Sequence, residues 1–297
     1  MYTILRVLAL LVILGVVGLA GFWVFTMPRQ LPADTFVDLE GDPEQGETVF
    51  WAAGCASCHS APDAQEEDRL VLAGGRAFLS DFGTFHAPNI SPSDAGIAGW
   101  TLDDFGNAMM RGVSPSGTHY YPAFPFTSYV RAAPQDVADL FAFMQTLPPS
   151  DVEDVDHDVG FPFSIRRTLG GWKLLFFRED WVMQDLPEDL ARGRYLVEAL
   201  GHCAECHTPR NALGGLDKTR WLGGAPSPDG KGSIPNITPG ALDWSEADIA
   251  AYLKTGFTPD FDSAGGEMAE VVQNMSHLSD ADVAAIAAYL KAVPKVQ

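Results

Sequence analysis

Cys55-Ala56-Ser57-Cys58-His59 and Cys203-Ala204-Glu205-Cys206-His207 are one pentapeptide pattern, C-x-x-C-H, written twice in one chain. Two thiols one helical turn apart can add to the two vinyl groups on one porphyrin edge, and the histidine that follows turns its imidazole toward the iron. The pattern predicts two covalently bound haem c groups held by Cys55, Cys58, Cys203 and Cys206, with His59 and His207 as proximal iron ligands. A zinc site would need the two pairs to converge across the interval from 55 to 203, and a redox dithiol needs no histidine after its second cysteine. The four cysteines are all used by the motifs, which leaves no thiol for a disulfide.

Outward from the motifs, the chain reads as a duplicated unit. Gly46 to Gly54 before the first motif matches Gly193 to Gly201 before the second, and Gly74-Gly75 answers Gly223-Gly224. Pro88-Asn89-Ile90-Ser91-Pro92 answers Pro235-Asn236-Ile237-Thr238-Pro239. Trp100-Thr101-Leu102-Asp103-Asp104 answers Trp244-Ser245-Glu246-Ala247-Asp248, and in each a hydroxyl residue followed three later by Asp marks a helix start. Asp104 through Phe124 then matches Asp248 through Met268 without a gap, and apolar periodicity predicts closing helices over Asp136–Leu147 and Asp280–Val293. Each unit is read as helix, haem motif, Gly/Pro-rich loop, helix, loop, helix. The predicted organisation is mostly α: residues 1–28 a transmembrane anchor, 40–148 a first domain, 149–188 a linker and 189–297 a second domain. The linker begins acidic and turns apolar and basic, as a docked strap over the seam or as a partner surface.

The sixth iron ligand decides whether a haem only carries electrons or also binds substrate. In Gly265-Gly266-Glu267-Met268-Ala269-Glu270, read as a loop between helices, glycines let the backbone bring the Met268 thioether to the second iron, with Met275 as substitute. The aligned residue of the first unit is Phe124, which cannot ligate iron. Met109 is the preferred substitute, because it shares a helix face with Phe105 and Ala108 and aligns with apolar Leu253. Met110 aligns with Lys254 and is predicted to face solvent; His86, His119 and an open iron complete the alternatives.

Val7 to Phe25 carries no charge, with Arg6 and Arg29 on either side and Trp23 where an interfacial aromatic would lie. A cleaved signal, cut near Gly18-Leu19-Ala20, is the alternative, but the apolar run exceeds the usual signal core and is read as an uncleaved anchor. The formal charge of −20, from 39 acidic and 19 basic residues, excludes a nucleic-acid partner. No carboxylate pair, nucleotide loop or hydrolytic triad stands out in the sequence.

The paired motifs, the Pro-Asn-Ile segments, the run from Gly112 to Thr127 and the Gly-Gly-Glu-Met-Ala-Glu loop resemble cytochrome c subunits of bacterial periplasmic dehydrogenases. These subunits serve alcohol, sugar-alcohol and molybdenum-hydroxylase types. The resemblance covers nearly all of residues 40–295 and implies tandem cytochrome c folds. It further implies haems on the periplasmic side of the bacterial inner membrane, with the anchor single-pass and its N-terminus inside. The implied donor is a dehydrogenase subunit; the implied acceptor is respiratory, a soluble cytochrome, an oxidase or a quinone-linked complex. Alcohol-dehydrogenase relatives carry three haems and a Met at the position of Phe124. That departure keeps open a dihaem peroxidase or thiosulfate-oxidising enzyme with an unusual first haem.

Overall fold

The architecture follows the repeat. In this computed structural model residues 2–62, 64–228, 230 and 232–297 are described. Helix α1, Tyr2–Phe25, has 24 residues and a most apolar stretch of mean hydropathy 2.7, long and apolar enough to cross a bilayer, and no residue of that stretch is buried.

The first unit opens with α2, Pro43–Ala52, started by Pro43 and by the Asp42 carboxylate, which accepts from Glu44 N at 2.9 Å. The first motif forms α3, Cys55–His59. Between the motif and the Pro-Asn-Ile segment, read from sequence as loop, lies an antiparallel hairpin of β1, Ala77–Ser80, and β2, Gly83–His86. Next come α4, Leu102–Gly106, α5, Phe126–Tyr129, and α6, Pro134–Met144. The linker contributes α7, Thr168–Phe176.

The second unit repeats the order. Its elements are α8, Ala191–Arg194; α9, Ala204–His207; the short hairpin of β3, Ala225–Pro226, and β4, Ser233–Ile234; then α10, Glu246–Thr255, α11, Glu267–Met275, and α12, Asp280–Ala292. Both predicted capping boxes are present: Thr101 and Ser245 each accept from the backbone of Asp104 and Asp248, whose carboxylates reach back to the cap N–H.

Each unit is closed by its first and last helices, and the crossing depends on one glycine. A Cβ on Gly46 would lie 2.0 Å from Asp139 O of α6, and one on Gly193 would lie 2.1 Å from Ala285 O of α12. Nine positions separate Gly46 from Cys55, but ten separate Gly193 from Cys203. The extra residue is taken up by a π-helical turn, Tyr195–Leu200, which continues α8, as a one-residue insertion in a helix commonly is. The structure accordingly pairs Gly54 (φ 67°) with His202 (φ 39°), the residue before each first cysteine, and not with Gly201 as the glycine spacing suggests.

A second π turn, Asn107–Arg111, continues α4, whereas α10 stays α-helical to Thr255; both end at a left-handed glycine, Gly112 and Gly256. This turn corrects the reading of Met110. A wider turn rotates the face, so Met109 and Met110 are both buried, at 3% and 6% exposure. Buried apolar residues of both units form one continuous core, from Phe50, Leu72 and Leu140 to Leu196, Leu222 and Tyr289. The linker is docked on both: Thr84 and Asp158 exchange backbone hydrogen bonds, and the Glu198 carboxylate accepts from Val182 N and Met183 N.

Candidate haem-binding sites

The two motif histidines are held alike. His59 Nδ1 lies 2.9 Å from Pro88 O and His207 Nδ1 lies 2.8 Å from Pro235 O. A backbone carbonyl only accepts, so Nδ1 carries the proton and the Nε2 lone pair is left for a metal. Burial pushes both imidazoles below the ordinary histidine value, which keeps them neutral, as a ligand must be; the proline bonds act the other way. Gly74 N donates to His59 O and Gly224 N to His207 O, each at 2.7 Å, with both glycines at positive φ. The proline segments are pinned in turn. Asn89 Oδ1 accepts from Ser91 N and Asn236 Oδ1 from Thr238 N, while their amides donate to Ser150 O and Val152 O and to Val296 O. The repeat flagged these proline segments; their carbonyls are the acceptors that sequence reasoning did not name.

The thiols of both motifs are held in their protonated form. Burial pushes Cys55 up to about 12, Cys58 to about 11 and Cys203 to about 12, and raises Cys206 as well. A dithiol that attacks disulfides, or a zinc thiolate, needs the opposite shift. Among the described residues the two motifs do not converge into a cluster able to hold a metal ion. Protonated paired thiols beside a neutral, oriented imidazole fit a covalently attached haem in each unit.

At the candidate sixth-ligand positions the units differ. Met268 is half-buried against the core, and it is the second residue of α11 rather than part of a loop. Gly266, at φ 55°, makes the left-handed bend that starts this helix. Met275, the substitute, is core packing at the far end of α11. Phe124 sits half-buried among aromatic rings, 6.1 Å from Tyr120 and 5.8 Å from Tyr129 by centroid. Met109 is buried in the core that both units share. His119 is turned elsewhere: its Nε2 donates to Thr26 O, at the end of α1, at 2.9 Å. His86 is half-buried, and its Nδ1 has no hydrogen-bond partner.

The cytochrome c family model matches residues 43–148 and again 190–294. This chain belongs to the cytochrome c family. It is 58% identical, over 95% of its length and 96% of the relative's, to a diheme cytochrome c-type protein of Cereibacter sphaeroides. It is 40% identical over 84% of its length to the fructose dehydrogenase cytochrome subunit of Gluconobacter japonicus. It is 35% identical, again over 84%, to the gluconate 2-dehydrogenase cytochrome c subunit of Pantoea cypripedii. The chain spans 52% and 59% of the lengths of these two subunits. It is a dihaem cytochrome c, mostly helical, with two covalently bound haem c groups and a role in electron transfer.

In this cytochrome each unit reaches across to the other's motif. Asn274 Nδ2 of α11 donates to Ser57 Oγ at 2.6 Å, and Thr127 Oγ1 of α5 donates to Glu205 Oε1 at 3.0 Å. Ser57 and Glu205 occupy the same position of their pentapeptides. The contacts are therefore reciprocal, and Cys206 lies close enough to Cys58 to contribute to its upward shift. Around this seam Arg76 pairs with Glu267 at 2.9 Å, Trp51 stacks on His277 with centroids 3.7 Å apart, and His202 Nε2 donates to Ala53 O. No local pattern in the sequence marks these partners.

Proposed function

We propose that this chain is a membrane-anchored dihaem cytochrome c that takes electrons from a periplasmic dehydrogenase and delivers them to a respiratory acceptor. The observation that supports the electron path is the reciprocal contact at the seam, Asn274 to Ser57 and Thr127 to Glu205, which ties each attachment motif to the other unit. A bound haem c supplies one reversible Fe(III)/Fe(II) electron. The residues around it do the rest. Cys55, Cys58, Cys203 and Cys206 would hold the two macrocycles through thioether bonds. His59 and His207, oriented by Pro88 and Pro235, would serve as iron ligands. Met268 would close the second iron and Met109 the first, soft thioethers that favour reversible electron transfer over ligand binding.

The fructose and gluconate dehydrogenase subunits among the relatives support a donor of that class, and helix α1 supports attachment to the inner membrane with both units in the periplasm. Residues 1–28, 40–148, 149–188 and 189–297 then serve as anchor, first haem domain, strap and second haem domain. The test is respiration of membranes lacking this chain. Oxygen uptake driven by a sugar, alcohol or aldehyde should fall and be restored by the wild-type chain. Undiminished uptake with all three would remove the donor reading. Phe124 at the aligned ligand position favours one other reading, an open first iron, and turnover of hydrogen peroxide or thiosulfate by the purified chain would establish that enzyme instead.

A further inference from the structure

The strap between the two haem units has a composition unlike the rest of the chain. From Val159 to Arg178 it contains no acidic residue, in a protein with 39 of them, and it carries Arg166, Arg167, Lys173 and Arg178. None of these four is paired with a carboxylate among the described residues. Their donors go to main-chain carbonyls: His119 O for Arg166, Trp23 O for Arg167, Arg111 O and Gly112 O for Lys173, Leu174 O and Phe177 O for Arg178. Lys173 points inward, over the Phe126 ring at 4.5 Å, whereas Arg178 is exposed and Arg166, over the Tyr121 ring at 4.5 Å, and Arg167 are half-buried with part of each side chain still open to solvent. The same segment exposes large apolar side chains, Phe161 at 83%, Leu175 at 58% and Leu174 at 49%.

Its place in the fold gives that composition a meaning. Helix α7 lies beside the last turn of α1. A Cβ on Gly170 would meet Thr26 O at 2.3 Å, and one on Gly171 would lie 3.7 Å from the Phe22 ring. Arg167 sits over the Trp23 ring at 4.3 Å. If α1 crosses the hydrocarbon core, its last turn reaches the water boundary, and α7 is held at that depth. Apolar side chains beside uncompensated guanidiniums are what a helix needs to lie in the interface of an anionic bilayer, burying the former and meeting phosphates with the latter.

We propose that residues 161–178 dock onto the membrane surface, with Phe161, Leu174 and Leu175 entering the acyl boundary and Arg166, Arg167 and Arg178 meeting anionic phospholipid headgroups. The proposal rests on reading α1 as a membrane span. It makes the strap a second point of attachment, which holds the seam between the haem units at a fixed height and tilt above the bilayer. A single helix alone would leave the units free to rotate about its end.

The test uses the full-length holoprotein in nanodiscs containing a phosphatidylglycerol with a photoactivatable diazirine near its headgroup, with the phosphatidylcholine analogue for comparison. Adducts are mapped by mass spectrometry. Adducts are expected on α1 with both lipids. On residues 161–178 they should be about fivefold or more abundant with phosphatidylglycerol, the factor given by ~1 kcal/mol for a surface guanidinium. The exposed loop at Phe261, 89% accessible, should be free of them. Leu174→Ser with Leu175→Ser should remove most of the strap adducts while those on α1 persist. Adducts confined to α1, or equal strap yields from the two lipids, would overturn the docking and leave the anchor standing. Absence of adducts from α1 itself would overturn the anchor. Cross-linking of 161–178 to a dehydrogenase subunit in native membranes, without lipid adducts, would assign the face to that partner and also overturn the proposal.

Discussion

Arg69 Nη1 donates to Glu270 Oε2 at 2.6 Å, an ion pair whose partners are 201 positions apart in the chain, and Glu270 lies two residues beyond Met268. The first haem unit thus holds the helix that carries the proposed iron ligand of the second. Arg69 is nearly buried, with 6% of its side chain exposed against 28% for Glu270, and its Nε and Nη2 have no partner. Removing one member of a mostly buried pair strands the other charge. Arg69→Met should cost about 3 kcal/mol, the lower end for such pairs because Glu270 keeps some solvent. The denaturant midpoint gives the cost. The double variant Arg69→Met, Glu270→Leu should recover much of it, since an apolar pair of similar volume leaves no charge behind. A double variant no more stable than the single would mean that the arginine acts through packing alone.

Met268 opens α11 immediately after the left-handed Gly266, half-buried against the core. If its thioether closes the second iron, the ferric protein has the weak near-infrared sulfur-to-iron band of His/Met ligation. Met268→Ala should abolish one such band and lower one of two midpoint potentials, because the thioether favours the ferrous state. A variant with unchanged spectrum and potentials would make Met268 core filling.

What the sequence made legible was local. The motifs, the capping boxes at Thr101 and Ser245, and the repeated proline segments are short patterns whose physics lies within a few residues. Both capping boxes stand in the structure as read, and each motif forms a helical turn. Where the reading failed, the cause was geometry that spacing does not encode. Met110 is buried because Asn107–Arg111 winds as a π turn, and a heptad-style face assumes 3.6 residues per turn. Gly54 pairs with His202 because a second π turn absorbs one residue. The seam contacts, Asn274 to Ser57 and Thr127 to Glu205, join residues 217 and 78 positions apart and follow only from how the units dock.

Lys173 gives the docked strap a dependence on pH. Its amine donates to Arg111 O and Gly112 O, yet burial, aided by the nearby Arg111 charge, pushes it down to about 7. A lysine depressed in the folded chain and ordinary in the unfolded one makes unfolding take up a proton at intermediate pH. The penalty is complete below about 7 and fades as pH rises toward the unfolded value near 10.5. Stability in urea should therefore increase between pH 7 and 9.5, and Lys173→Met should flatten that increase. An identical slope in the variant would show that the amine stays charged against its two carbonyls.

The first haem is where the repeat and the residues part company. Phe124 presents a ring at the position aligned with Met268, so the iron of that unit takes a ligand from elsewhere or stays five-coordinate. His119 is committed to Thr26 O, and Met109 is 3% exposed, buried in the core that both units share. The π turn that buries Met110 too makes the pair a sharp test, since two adjacent thioethers share burial but only one is proposed to meet the iron. Met109→Leu should convert one haem to a high-spin form that binds carbon monoxide and leave the other untouched. Met110→Leu should keep both haems low-spin and change stability by less than about 1.5 kcal/mol, as a volume-conserving core swap does. If Met110→Leu opened the iron instead, the two roles would be exchanged. A wild-type chain that already bound carbon monoxide at one haem would mean that neither thioether closes the site.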